Sequence, residues 1–354
     1  MKVEEIHTEV EKLKHASTFL KYHKVDIAFA GFLVALALQY NFYISMIHVP
    51  IGDDAVYLTN ARNWLTSEPL FEAFRPPLLS WLIAGTWTLT GENWEIVKYL
   101  QTSFTIGAGI LLYLILKRYK GALFALGVTS LTMVNAELFY YSTRILTEGL
   151  SLFFVIATLY FLKTERRNDW FLAGIMIGLT FASRYPIILP TLVIFIVESL
   201  IRKDIKLVGR TLMGAIPVIA IVMSVMFLKT GTFDMALEKD TNFGFLLSNF
   251  YIVNSINIWG FAFLLVPVAF LFRRTYADKY NYAFVAWFIV SLIFWSANTT
   301  NHEFRFAIQF MPAVYYLAIL AIENIARTNI TLNSITSRFR SPTKNTGGKE
   351  NAYA

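Results

Sequence analysis

The sequence predicts an all-α integral membrane protein, a polytopic bundle of about ten transmembrane helices, and three observations carry that fold class. The 354 residues are 56% hydrophobic and only 16% charged, against about 25% charged in a soluble domain, and the mean hydropathy is +0.51. The apolar residues gather in long runs without period-two alternation, and a backbone in lipid satisfies its polar groups only as helices or a closed barrel. The basic residues fall in short clusters in alternate loops between the runs, as cytoplasmic loops require.

Residues 1–24, MKVEEIHTEVEKLKHASTFLKYHK, form a cytoplasmic amphipathic segment of mixed charge. The first apolar run is 25–47. No small-residue cleavage site closes it, so it reads as a retained span rather than a signal. Further runs occupy 96–116, 121–141, 146–162, 170–185, 186–201, 208–228, 251–272, 281–297 and 306–322. Some fall short of the roughly 20 residues of a full span, which burial by neighbours tolerates. The stretch 170–201 has two readings. Pro186 and Pro190 either kink one tilted span or separate two short ones. One span would put the Arg202–Lys206 and Arg273–Arg274 clusters outside, so the charge distribution prefers two.

Residues 48–95 make a long first extracytoplasmic loop with two interfacial helices. One is 54–66, with an acidic start. The other is 76–90, PPLLSWLIAGTWTLT, where Pro76 and Pro77 suit a helix start. The transmembrane domain is thus 25–325. Residues 326–354, polar and basic, are expected to be a disordered cytoplasmic tail.

Composition also excludes function classes. There are no cysteines, so disulfides, thiolate nucleophiles and Cys-based metal sites are ruled out. The net charge of +7 is not a nucleic-acid signal, because the basic residues do not share a face. One set of loops holds Lys117, Arg118 and Lys120, then Lys163, Arg166 and Arg167, then Arg202, Lys203 and Lys206, then Arg273, Arg274 and Lys279. The other set is sparse. With the rich side cytoplasmic, Asp53 and Asp54 face outward, and the chain is expected to be multi-pass in the cell membrane.

On that outer side the polar residues converge. The first loop contributes Asp53, Asp54, Tyr57 and Arg75, and the next outer turn Arg144 and Glu148. Arg184 follows at the 170–201 break, and His302, Glu303 and Arg305 precede the last span. Ionisable residues at membrane depth are costly and mark function. A carboxylate can take a proton from a hydroxyl nucleophile, and arginines can hold a leaving phosphate. Each residue also has a plainer role. Asp53 or Asp54 can cap the 54–66 helix. Arg75 and Arg184 can anchor at headgroups, and Arg144 and Glu148, one turn apart, can simply pair. The tryptophans Trp64, Trp81, Trp87 and Trp94 suit an interfacial belt. Lys98 and Glu198 read as span-end residues.

The string GDDAVYLTNARNWL with FRPPLLSWLIAGTWTLTG resembles the start of the GT-C superfamily of polyprenyl-phosphate-sugar glycosyltransferases, in its protein-O-mannosyltransferase and aminoarabinose-transferase-like branches. STRILTEGLSLFF (142–154) is similar to the family's later acidic element, and NHEFRF (301–306) to the His-x-Glu-x-Arg-Phe element of mannosyltransferases of lipid-anchor synthesis. The resemblance implies Asp53 as catalytic base with Asp54 as its acidic neighbour. It implies Arg144 and Glu148 in the second element, and His302, Glu303 and Arg305 in the third. It further implies an inverting transfer of a mannose-like hexose from a dolichyl or undecaprenyl phosphate to an acceptor hydroxyl on a glycan, lipid or protein. Some branches bind a divalent cation in the loop and many need none. No ligand spacing here demands one. The rival class is a transporter of a small or lipid-linked solute, which would place its charges near the midplane, on broken helices within repeats.

Overall fold

The computed structural model describes residues 3–46, 50, 52–164, 166–231, 248–297 and 303–340, and every regular element among them is helical. The helices are α1 (Val3–Met46), α2 (Asp53–Thr66), α3 (Leu78–Thr90), α4 (Trp94–Lys120), α5 (Ala122–Met133) and α6 (Ala136–Ser142). They continue with α7 (Glu148–Lys163), α8 (Arg167–Ser183), α9 (Ile188–Arg202) and α10 (Ile205–Thr230). After these come α11 (Ala262–Leu271), α12 (Tyr282–Ala297) and α13 (Met311–Arg340). The amphipathic N-terminal segment is therefore the start of the same helix as the first span. The last helix runs to Arg340, so the expected disorder does not begin at residue 326; residues 341–354 lie outside the described part.

Local chemistry sets several boundaries. The Asn93 side chain accepts from the Glu95 and Ile96 amides and starts α4. Lys117, Arg118 and Lys120 occupy its last turn, where the helix dipole favours cations. Gly121, at φ 92°, turns the chain straight into α5. Asn135 breaks the next run. Its side chain caps α6 while its amide donates to the Ile258 carbonyl at 2.6 Å and the Tyr315 hydroxyl at 2.9 Å. The α5–α6 pair bends there by 62°.

Six helices are long and apolar enough to cross a membrane, or seven if the bent α5–α6 pair counts as one. The protein is an integral membrane protein. The remaining predicted runs are accounted for by packing. The 251–272 run is interrupted at Asn254 and Gly260, leaving α11 at 10 residues. Helices α7 and α8, of 16 and 17 residues, meet mostly protein: α7 packs against α4, α8 and α9, and α8 also against α10.

Two ion pairs decide the 170–201 stretch. At one end of α7, Glu148 pairs with Arg184, which precedes α9, at 2.5 Å. At the other end, Lys163 pairs with Glu198, near the end of α9, at 2.6 Å. So α9 runs alongside α7 in the same direction. Helix α8, which starts where α7 stops and ends at Arg184, runs the opposite way. These are two passes, with the chain reversing at Arg184–Ile187, the short turn that contains Pro186. The two interfacial helices of the first loop are present as α2 and α3, packed on each other. Trp64 meets Trp81 edge-on with centroids 5.7 Å apart, which joins α2 to α3, and Trp87 is buried.

Candidate active site

Helix α2 starts on Asp53 and Asp54 themselves. Gly52 is the N-cap at φ 60°, and no side chain caps the helix. Both acids gain from the positive end of the helix, but their oxygens point to arginines instead of the helix amides. That removes the plain capping role from both.

Asp53 is held on both oxygens. Oδ1 accepts from Arg75 Nη2 at 2.8 Å and Oδ2 from Arg305 Nη1 at 2.6 Å. It keeps 28% of its side-chain surface exposed. Burial pushes its carboxyl up, but the Arg305 hydrogen bond and the charges of Arg75 and Arg305 outweigh it and hold the group below its usual range. Asp54 is the opposite case. It is buried, with Oδ2 accepting from Arg144 Nε at 2.8 Å and Oδ1 without a partner. Here burial wins over the Arg144 contact and raises the carboxyl. Two adjacent acids thus titrate apart, the accessible one more acidic.

Each arginine is placed by its own element. The loop 67–77 that carries Arg75 is fastened to α2 by asparagines. Asn60 Oδ1 accepts from the Phe71 amide at 2.8 Å, its Nδ2 donates to the Glu72 carbonyl, and Asn63 donates to the Pro69 carbonyl. Arg75 Nε then donates to Glu72 Oε2 at 2.5 Å, and its guanidinium lies 5.3 Å from the centroid of the buried Tyr57 ring. Burial raises the Tyr57 hydroxyl pKa. Arg144, in the turn between α6 and α7, also donates to the Tyr140 hydroxyl one turn back at 2.8 Å.

Glu148, in the first turn of α7, is fully buried and accepts from Arg184 through Oε1; its Oε2 has no partner. Arg305 Nε stands 3.9 Å from the same Oε1. Arg305 sits in the short helix Phe304–Ala307 that leads into α13, and its guanidinium also meets Glu303, with Nε 2.5 Å from Oε2. Phe306 lies beneath both arginines, 5.0 Å from Arg184 and 5.5 Å from Arg305. Gln309 donates to Ser151 Oγ at 2.9 Å and to the Glu148 carbonyl at 3.3 Å.

So Asp53, Asp54, Tyr57, Arg75, Arg144, Glu148, Arg184, Glu303 and Arg305 form one connected cluster at one end of the bundle. His302 lies outside the described residues. Among the described residues no group of three or more His, Asp or Glu is placed to hold a metal ion.

Three participants escaped the sequence reading. Glu72 shares Arg75 with Asp53. Gln309 braces Glu148. Lys98, taken as a span-end residue, is completely buried, 4.4 Å from the Trp94 ring centroid, with its charge felt at Asp54. A lysine one turn past a helix start, inside an apolar face, was the available signal. Glu198, grouped with it, is likewise buried in its pair with Lys163.

The cluster can be compared with known proteins. A model of the dolichyl-phosphate-mannose-protein mannosyltransferase family matches residues 74–227, from just before Arg75 through most of α10. No curated protein matches the chain. Among solved structures, ArnT from Cupriavidus metallidurans bound to undecaprenyl phosphate is similar at 14% identity and TM-score 0.66, covering 87% of this chain and 63% of that one. Its apo state gives 15% identity and TM-score 0.65, over 88% and 63%. The chain therefore spans somewhat under two thirds of those structures, and at these identities the likeness is one of fold.

Proposed function

From the likeness of fold to the ArnT structures and the family match over residues 74–227, we propose that this chain is a member of the GT-C superfamily, a membrane glycosyltransferase with a polyprenyl-phosphate-sugar donor. The reading rests on one observation above the rest: arginines from the first loop and from the last span meet on the two oxygens of Asp53, the more exposed acid of the pair. Such a site joins a carboxylate that can take a proton to cations that can take a phosphate, at the end of the bundle where a lipid headgroup would lie. The match to the mannosyltransferase family and the likeness to a structure bound to undecaprenyl phosphate support the same donor class.

In the proposed reaction the acceptor hydroxyl attacks the anomeric carbon from the face opposite the lipid phosphate. The new C–O bond forms as the bond to the phosphate oxygen breaks, and the configuration inverts. The hydroxyl proton passes to Asp53, and the polyprenyl phosphate leaves with its charge met by arginine. As the structure stands each Asp53 oxygen accepts from an arginine, and release of one arginine to the donor phosphate would make the acid a stronger base. Arg305 is suited to that exchange because it already faces three carboxylates, Asp53, Glu303 and Glu148. Asp54 and Arg144 position the start of α2, and Glu148 fixes Arg184 beside Arg305. The donor sugar is proposed to be a mannose-like hexose. The acceptor is a hydroxyl on a glycan, lipid or protein at the extracytoplasmic face of the cell membrane. Charges gathered at one end of the bundle weigh against a transporter.

The test is transfer from a polyprenyl-phosphate hexose by the purified chain in detergent. Asp53→Asn keeps shape and removes basicity, so turnover is expected to fall by roughly 10²–10⁴ while donor binding persists. Near-wild-type turnover in that variant refutes Asp53 as the base.

A further inference from the structure

At the end of α9 remote from the cluster lies a groove between α9 and α12. It encloses about 710 Å³ and is lined by Val197, Leu200, Ile201, Val285, Ile289 and Val290. Two of these, Leu200 and Ile289, are 67% and 40% exposed. Helix α9 begins beside Arg184 at the candidate site and runs 15 residues, so the groove opens roughly 20 Å away along the helix axis. From Tyr282 to Val290 its α12 wall is roughly 12 Å tall.

The groove is polar at one end only. Lys203 caps the end of α9 and Lys279 precedes the start of α12, and both belong to its lining. Their acidic neighbours are engaged elsewhere. Asp278 is paired with Lys120 at 2.5 Å, and Asp204 accepts from the Lys206 amide at 2.9 Å. Among the described residues neither Lys203 nor Lys279 has an ion-pair partner; Lys279 rests 5.8 Å from the centroid of the Tyr280 ring. An apolar slot with two ammonium groups at its mouth is complementary to an acyl chain that carries a phosphodiester. A zwitterionic lipid would bring its own cation to the two lysines, and a free phosphate would leave the slot unfilled.

We infer that this groove holds one anionic diacyl phospholipid, drawn from the leaflet on the side away from the candidate active site, with an acyl chain along α12 and its phosphate between Lys203 and Lys279. The inference is independent of the proposed transfer reaction.

Native mass spectrometry of the delipidated full chain in detergent tests it, with dioleoyl phosphatidylglycerol and dioleoyl phosphatidylcholine as probes at equal excess. The wild type is expected to retain phosphatidylglycerol about 10- to 30-fold more than phosphatidylcholine, as two lysines at an anionic headgroup imply. Lys203→Gln with Lys279→Gln should bring the two lipids level, and Lys203→Arg with Lys279→Arg should restore the preference. Ala286 also lines the groove on α12, and Ala286→Phe, which fills the slot, should lower both adducts. Lys206→Gln, near the same end but outside the lining, should change neither. Equal retention by the wild type overturns the inference, and so does a preference that survives the double glutamine variant. Displacement of phosphatidylglycerol by millimolar inorganic phosphate would reassign the lysines to a plain anion site.

Discussion

Asp53 pairs with two guanidinium groups, and a carboxylate so held is a stable anion and a weak base. Its carboxyl lies below the usual range because Arg305 and Arg75 outweigh burial, so in the free protein it stays ionised to lower pH than an ordinary carboxylate. If the donor phosphate draws Arg305 away, the group loses a lowering influence and its pKa rises in the complex. The two profiles should therefore differ. The acid limb that Asp53 contributes to kcat/KM, which follows the free enzyme, should lie below that of an ordinary carboxylate, whereas the acid limb of kcat should lie at higher pH. Both are measured by steady-state transfer with varied donor and saturating acceptor. Coincident limbs would mean that Arg305 stays on Asp53 through the reaction. A limb shared by both profiles and lost in Asp54→Asn belongs to Asp54, whose carboxyl burial raises.

Helices α8 and α10 approach so closely that two glycines leave no room for a side chain. A Cβ on Gly174 would stand 1.9 Å from the Thr211 carbonyl oxygen, and one on Gly214 would stand 2.2 Å from the Phe171 carbonyl oxygen. Small residues allow such backbone contact within a membrane. The obstructing atoms are backbone, so the helices themselves must part. Gly174→Ala should destabilise the protein by about 1–3 kcal/mol, read as a lower melting temperature in detergent, while Gly209→Ala on α10, where a Cβ meets nothing, should raise it slightly, because alanine is the better helix former. Equal melting of both variants would contradict the close crossing. At this scale the sequence foretold most helices, including both interfacial ones, because apolar runs and Pro or Gly boundaries are local signals. It missed the breaks at Asn135, Asn254 and Gly260. At Asn135 the bend depends on a side chain reaching Ile258 and Tyr315, far along the chain.

Across the molecule, the Glu148–Arg184 and Lys163–Glu198 pairs mark the two ends of the bundle. They put the candidate site and the Lys203–Lys279 groove at opposite ends of the bundle, so the two are expected to face opposite sides of the membrane. The absence of cysteine makes this directly measurable. Glu68→Cys, in the first loop, and Arg273→Cys, before α12, are both exposed positions. In right-side-out vesicles a membrane-impermeant maleimide should label the first and spare the second. Labelling of both from one side would overturn the two-pass arrangement of α8 and α9.

The sequence alone determined that the chain is a helical membrane protein and where most spans lie, and from it came the expectation that acids and arginines collect on one side. Hydropathy and the Lys/Arg distribution depend only on local composition against lipid and water, so they are legible without coordinates. The tertiary structure decided the partnerships. Only packing brings Arg305 to Asp53 across 252 residues of chain, gives Arg144 to Asp54 and Arg184 to Glu148, and buries Lys98 beside them. Only packing splits the acids into a half-buried, low-pKa Asp53 and a buried, raised Asp54. Partnership and pKa depend on distance and burial, which adjacent positions in a sequence do not encode.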